Sequence, residues 1–175
     1  MSKNPKDAIS KLNDKQESIQ LSAFTDLRKY FKSNLNNSYN VSIAMTKHKL
    51  IPTYMEFLET DQSDAVMESA LDCLSHFINS FGWIHDGPDE ATFTKVLVNL
   101  IPKLTIENLP YLLDCLPRLY NRAENVFLPE LKIIGNLLNT HSENSVIVEK
   151  LVKVFTSLYA LIWNDEQDLK VTAIL

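Results

Sequence analysis

Four histidines, two cysteines and 22 carboxylates are the groups in this chain that could carry acid–base, nucleophilic or metal chemistry. Metal sites set such ligands at short fixed spacings, HExxH or CxxC, because neighbours on one turn can close a coordination shell. His48, His76, His85 and His141 show no such spacing, and Cys73 and Cys115 stand alone. His85-Asp86-Gly87 sets a base beside a carboxylate, yet adjacent residues in a stretch punctuated by Gly82, Gly87 and Pro88 read as a turn. No GxSxG elbow presents a serine nucleophile. Asp89-Glu90 falls where a helix should begin, and the helix dipole accounts for carboxylates there. With three glycines in 175 residues, Gly-rich phosphate loops are absent and all-β folds are disfavoured. The expectation is a protein with no catalytic residue, no metal site and no cofactor, and so not an enzyme.

Two of the carboxylates recur in context. Ala70-Leu71-Asp72-Cys73-Leu74-Ser75-His76-Phe77 is echoed 42 residues later by Leu112-Leu113-Asp114-Cys115-Leu116-Pro117-Arg118-Leu119. A period of roughly that length is the signature of stacked helical repeats of the armadillo or HEAT kind. Such chains are curved scaffolds with a binding face. The fold class expected is all-α, a right-handed superhelical armadillo/HEAT-like solenoid of about four short repeats.

The elements that would position the echoed residues are set by helical spacing. Ile19, Ala23, Phe24, Leu27, Tyr30 and Phe31 predict a helix over 16–35, followed by a polar break at Asn34 to Asn40. Val41 to His48 reads as a short helix, and Leu50-Ile51-Pro52 opens another, proline being tolerated in a first turn. Ser63 is placed to cap a third helix through Val66, Ala70, Leu71, Leu74, Phe77 and Ile78. Short helix, proline-started helix and capped long helix is the armadillo order. Ser80 to Glu90 reads as a loop, Ala91 to Leu104 as a helix ending in a second Leu-Ile-Pro, then Asn108 to Tyr120 and Val126 to Leu138 as helices. Ser145 to Trp163 is long enough for two elements, and Asn164-Asp165-Glu166 would cap a last helix near Gln167. The two Leu-Ile-Pro sites are 50 residues apart, not 42, so either one repeat is shortened or residues 109 to 119 play another role.

Residues 1–15 are expected to form a flexible polar arm, and 16–175 the repeat domain. The chain stops at Ile174-Leu175 inside an apolar stripe. That reads as a truncated product, a fragment, or a chain that self-associates at its C-terminus. No run of 18 apolar residues spans a membrane. A net charge of −5 offers no basic footprint for nucleic acid and would attract basic partners. Lone cysteines and no secretory signal point to the cytoplasm or nucleus, with Cys73 and Cys115 as small buried residues.

Several segments resemble one family. Gln20-Leu21-Ser22-Ala23 through Leu50-Ile51-Pro52, then Phe57-Leu58 and Glu68-Ser69-Ala70, resembles importin alpha (karyopherin alpha), where a helix precedes an "IP…FL" helix and an "ESA…L.N" helix. Pro129 to Asn136 is similar to that family's "PALRAIGN" helix, and Thr140 to Glu149 to the residues after that helix. Ser80 to Pro88 is similar to an insertion between two of the family's middle repeats. The resemblance covers roughly residues 18 to 175 and implies a divergent armadillo adaptor. In that family a concave groove binds basic nuclear localisation signals for protein import into the nucleus. A Trp and an Asn four apart lie on one face, one turn from each other. The Asn holds the peptide backbone, Trp rings channel lysine stems, and carboxylates take the ammonium groups.

At those places this chain carries Asp72 and His76 in the first unit, and Asp114 and Arg118 in the echoed one. Lys132 and Asn136 match a repeat in which a basic residue replaces the Trp. These six are the candidate groove residues. Asp72 and Asp114 would meet a basic peptide, and His76 and Asn136 would hold its backbone. Arg118 and Lys132 would repel it and imply another ligand or another local register. Trp83 and Trp163 lie outside the array. The resemblance also implies importin beta as a partner through a basic N-terminal segment, but Met1 to Lys15 has no arginine cluster, so that partnership is not expected. The alternative is a non-transport armadillo scaffold that assembles a protein complex. An acidic groove would favour the adaptor, and a mixed or apolar one the scaffold.

Overall fold

A computed structural model describes residues 5–81, 90–120 and 128–164. Among them the chain is all-α: nine α-helices and two 3-10 turns, with no strand. The helices are α1 Pro5–Ile9, α2 Glu17–Ser33, α3 Ser38–Lys47, α4 Leu50–Leu58, α5 Asp64–Phe81, α6 Glu90–Leu100, α7 Leu109–Tyr120, α8 Leu128–Thr140 and α9 Ser145–Asn164. The turn at Asn121 to Asn125, the last helix from Gln167, the stripe at Ile174-Leu175 and most of the 80–90 loop lie outside the described residues.

Local chemistry sets the helix ends. The Ser63 hydroxyl accepts from the Val66 N–H at 3.4 Å, capping α5, and donates to Glu17 at 2.8 Å. Asn144 caps α9 in the same way, accepting from the Ile147 N–H at 3.2 Å. Between α3 and α4, Lys49 takes the left-handed conformation with φ of 57°, the reversal that a glycine usually supplies.

The helices pack in two rows. In one, α2 packs on α5, α5 on α7 and α7 on α9; in the other, α4 packs on α6 and α6 on α8. Ala23, Phe24, Leu27 and Phe31 turn the buried face of α2 inward. Phe24 meets Tyr54 and Phe57 at ring-centroid distances of 5.9 and 5.3 Å, and Phe31 meets Phe77 and Phe81 at 5.2 and 5.5 Å. Tyr54 is fully buried and donates its hydroxyl to the Ala70 carbonyl at 3.1 Å. Burial raises its pKa well above the ordinary phenol value.

The 42-residue echo is close to the offset between neighbours at one end of the first row only. There, polar contacts join residues 42 to 46 positions apart: Gln20 with Gln62, Glu68 with Tyr111, Asp64 with Asn108, Glu17 with Ser63. At the other end of α5 the offset to α7 is 35 and 39, from Asn79 to Asp114 and to Arg118. From α7 to α9 the offset is 36, at Asp114 and Lys150. Residues 109–120 form α7, which packs beside α5 as the echo suggests.

Three expectations are corrected. Residues 5–12 are not a free arm: α1 packs on α2, with Ala8, Ile9 and Leu12 buried. Gln20 holds that connection by donating to the Leu12 carbonyl at 3.1 Å. The second Leu-Ile-Pro does not lie within a helix running to Leu104, because α6 ends at Leu100 and Ile101–Lys103 is a 3-10 turn. The first Leu-Ile-Pro opens α4, so the two sites are not equivalent and their 50-residue interval is no repeat length. Finally, α9 is one helix, not two.

Candidate functional site

The outward polar positions of α2, α5, α7 and α9 form the strip on which the echoed carboxylates stand. Arg28 on α2 pairs with Asp72 on α5 at 2.6 Å. Near it, Tyr111 on α7 donates its hydroxyl to Glu68 on α5 at 3.3 Å. Burial, then the Glu68 charge, raises the Tyr111 phenol, and Asp72 and Arg28 also act on it.

His76 lies one turn beyond Asp72. Its Nε2 is buried with no hydrogen-bond partner. Burial first, then Lys32 and Arg28, lowers its pKa from 6.5, while Asp72 pulls the other way. The imidazole is therefore neutral at physiological pH, and its Nε2 is shielded from a peptide lying on the strip. The expected role of His76 in holding a peptide backbone is not prepared at that nitrogen.

On α7, Asp114 is paired with Lys150 of α9. Asn79, in the last turn of α5, straps the two helices: its amide donates to the Asp114 carbonyl at 3.2 Å, and its own carbonyl accepts from Arg118 at 3.3 Å. Pro117 has no N–H, so the Leu113 carbonyl lacks its helical donor in this same turn. Farther along α9, exposed Lys153 and Glu149 pair at 2.7 Å, which raises the Lys153 pKa and lowers that of Glu149. Asp114, Pro117 and Arg118 of α7, with Asn79, Lys153 and Ser157, line an open groove of about 490 Å³. A second open groove, about 540 Å³ between α1 and α2, is bordered by Asp7, Asp14 and Asp26 with Lys11.

Of the six residues singled out by spacing and resemblance, the structure brings four into one row: Asp72, His76, Asp114 and Arg118. Lys132 and Asn136 are exposed on α8, which packs on α6 and α9 and belongs to the other row. The carboxylates are not bare: cations from α2 and α9 answer them, so the strip is mixed in charge. Arg28, Lys32, Glu68, Asn79, Tyr111, Lys150 and Lys153 were not anticipated. The echo came close to Arg28: stepping back 42 residues from Asp72 lands on Tyr30, two positions away.

Cys73 and Cys115 are free and buried, as their place in the echo suggested. Burial pushes the Cys73 thiol up to about 12 and Cys115 upward as well, so neither supplies a thiolate near neutrality. Among the described residues no group of three or more His, Cys, Asp or Glu side chains could hold a metal ion, and no helix is long and apolar enough to cross a membrane. No family model, curated protein or solved structure matches this chain.

Proposed function

We propose that this chain is a protein-binding adaptor of the armadillo solenoid type, similar to importin alpha, which holds a linear segment of a cargo protein along the α2–α5–α7–α9 strip. The observation that carries the reading is the strip itself. Four helices packed in succession present polar and charged side chains side by side, as an extended ligand requires. The resemblance supplies the ligand class, a segment like a nuclear localisation signal, and a place in protein import between cytoplasm and nucleus. The proposal assigns binding and no reaction.

One observation favours the second reading, a scaffold outside transport. Asp72 and Asp114 are already neutralised by Arg28 and Lys150, so a basic ligand must displace a built-in cation at each. The pair at Asp72 is about one-third exposed, where such exchange costs no more than about 1 kcal/mol. Fluorescence anisotropy of a labelled Lys/Arg-rich localisation peptide, with a scrambled peptide of equal charge at low and moderate salt, separates the readings. Sequence-selective binding is expected for the adaptor. Equal affinity for both peptides, fading together with salt, would leave the scaffold.

A further inference from the structure

We infer that the groove between α7 and α9 seats an anionic side chain, a carboxylate or a phosphate monoester, carried by the segment that the strip holds; the inference rests on the adaptor reading. The chain as a whole is acidic, with a net charge of −5, so a groove edged by exposed cations is a local exception. Two cations line it, Arg118 from α7 and Lys153 from α9. The carboxylate that lines it, Asp114, is already taken by Lys150. A cationic ligand would find that acceptor occupied and Arg118 repelling it, while Lys153 is itself paired with Glu149.

Donors for an anion are in place. A guanidinium has five N–H donors in a planar fork. The Asn79 carbonyl takes a bond from Arg118 at 3.3 Å, which anchors the fork at the mouth of the groove and leaves donors for a bidentate contact. Lys153 has three donors and gives one to Glu149 on the previous turn of the same helix. Ser157, nearly buried, adds a hydroxyl to the lining. Together these groups suit an oxyanion with several acceptor oxygens. They also explain why Arg118 stands where the resemblance calls for a peptide-holding amide: the segment recognised changes sign along the strip.

The test uses the full chain and short labelled peptides that differ at one central residue: phosphoserine, glutamate or serine. A Lys/Arg-rich peptide is run beside them. The phosphoserine and glutamate peptides are expected to bind, with the serine peptide about tenfold weaker, the loss of one charge-assisted contact. Arg118→Gln and Lys153→Gln should each raise Kd for the anionic peptides by about the same factor, and by more than for the serine peptide. Both side chains are exposed, so circular dichroism should show both variants folded. The tighter of the two anionic peptides identifies the source of the charge. Equal binding of all three peptides, or an unchanged Kd in Arg118→Gln, would overturn the site. Binding of the basic peptide alone would overturn the site and leave the adaptor standing; binding of none would overturn both.

Discussion

Among single side chains, the pairing of Arg28 with Asp72 decides how the strip presents charge, and its neighbour His76 reports on it. Asp72 is the influence that raises the His76 pKa against burial, Lys32 and Arg28. Asp72→Asn should therefore lower the His76 pKa further, read by NMR titration of the imidazole, while the partly exposed pair costs no more than about 1 kcal/mol of stability. The pH dependence has a definite sign. A histidine whose pKa is lowered on folding binds its proton more readily when unfolded. Its share of stability is complete above 6.5 and is lost as pH falls from there toward the folded-state value. Urea midpoints should drop over that range in the native chain and drop less in His76→Gln. That these groups meet was only partly legible. Spacing singled out Asp72 and His76, but an ion pair depends on how two helices rotate against each other, which no local pattern records.

Helices and their junctions carry the next predictions. A Cβ at Gly135, inside α8, would meet nothing within 4 Å. Gly135→Ala should therefore stabilise the chain by about 0.5–1 kcal/mol in urea titration, since it removes only the entropy cost of glycine in a helix. At Lys49 the direction reverses. Its φ of 57° strains a side chain, so Lys49→Gly should be neutral or stabilising by up to about 1 kcal/mol, and Lys49→Val clearly destabilising. Phe31 touches the rings of Phe77 and Phe81 and is fully buried, so Phe31→Ala should cost about 3–5 kcal/mol. At this scale the sequence was most readable where apolar spacing is dense, as in α2 and α5. It misled where one tripeptide serves two backbone roles: Leu50-Ile51-Pro52 starts a helix, while Leu100-Ile101-Pro102 straddles the end of one. It also hid α1, whose burial rests on Ala8 and Ile9, with Leu12 just after it, in a polar run.

For the molecule as a whole, the repeated phrase marked two helices, α5 and α7, that pack side by side, and its 42-residue period is close to their offset at one end only, the offset being 35 to 39 at the other. The rows themselves were not legible. Lys132 and Asn136 match a groove motif by residue type, and α8, which carries them, packs on α6 and on α9. The mixed charge of the strip was legible only at Arg118, because Arg28 and Lys150 come from α2 and α9, outside the echoed phrase. The most direct test of the binding strip maps amide chemical shifts on titration with the Lys/Arg-rich peptide. Shifts are expected along α2, α5 and α7 around Arg28, Asp72, Glu68 and Asp114, with α4, α6 and α8 unmoved. Shifts centred on Lys132 and Asn136 of α8, or no shift at all, would contradict the strip as the binding face.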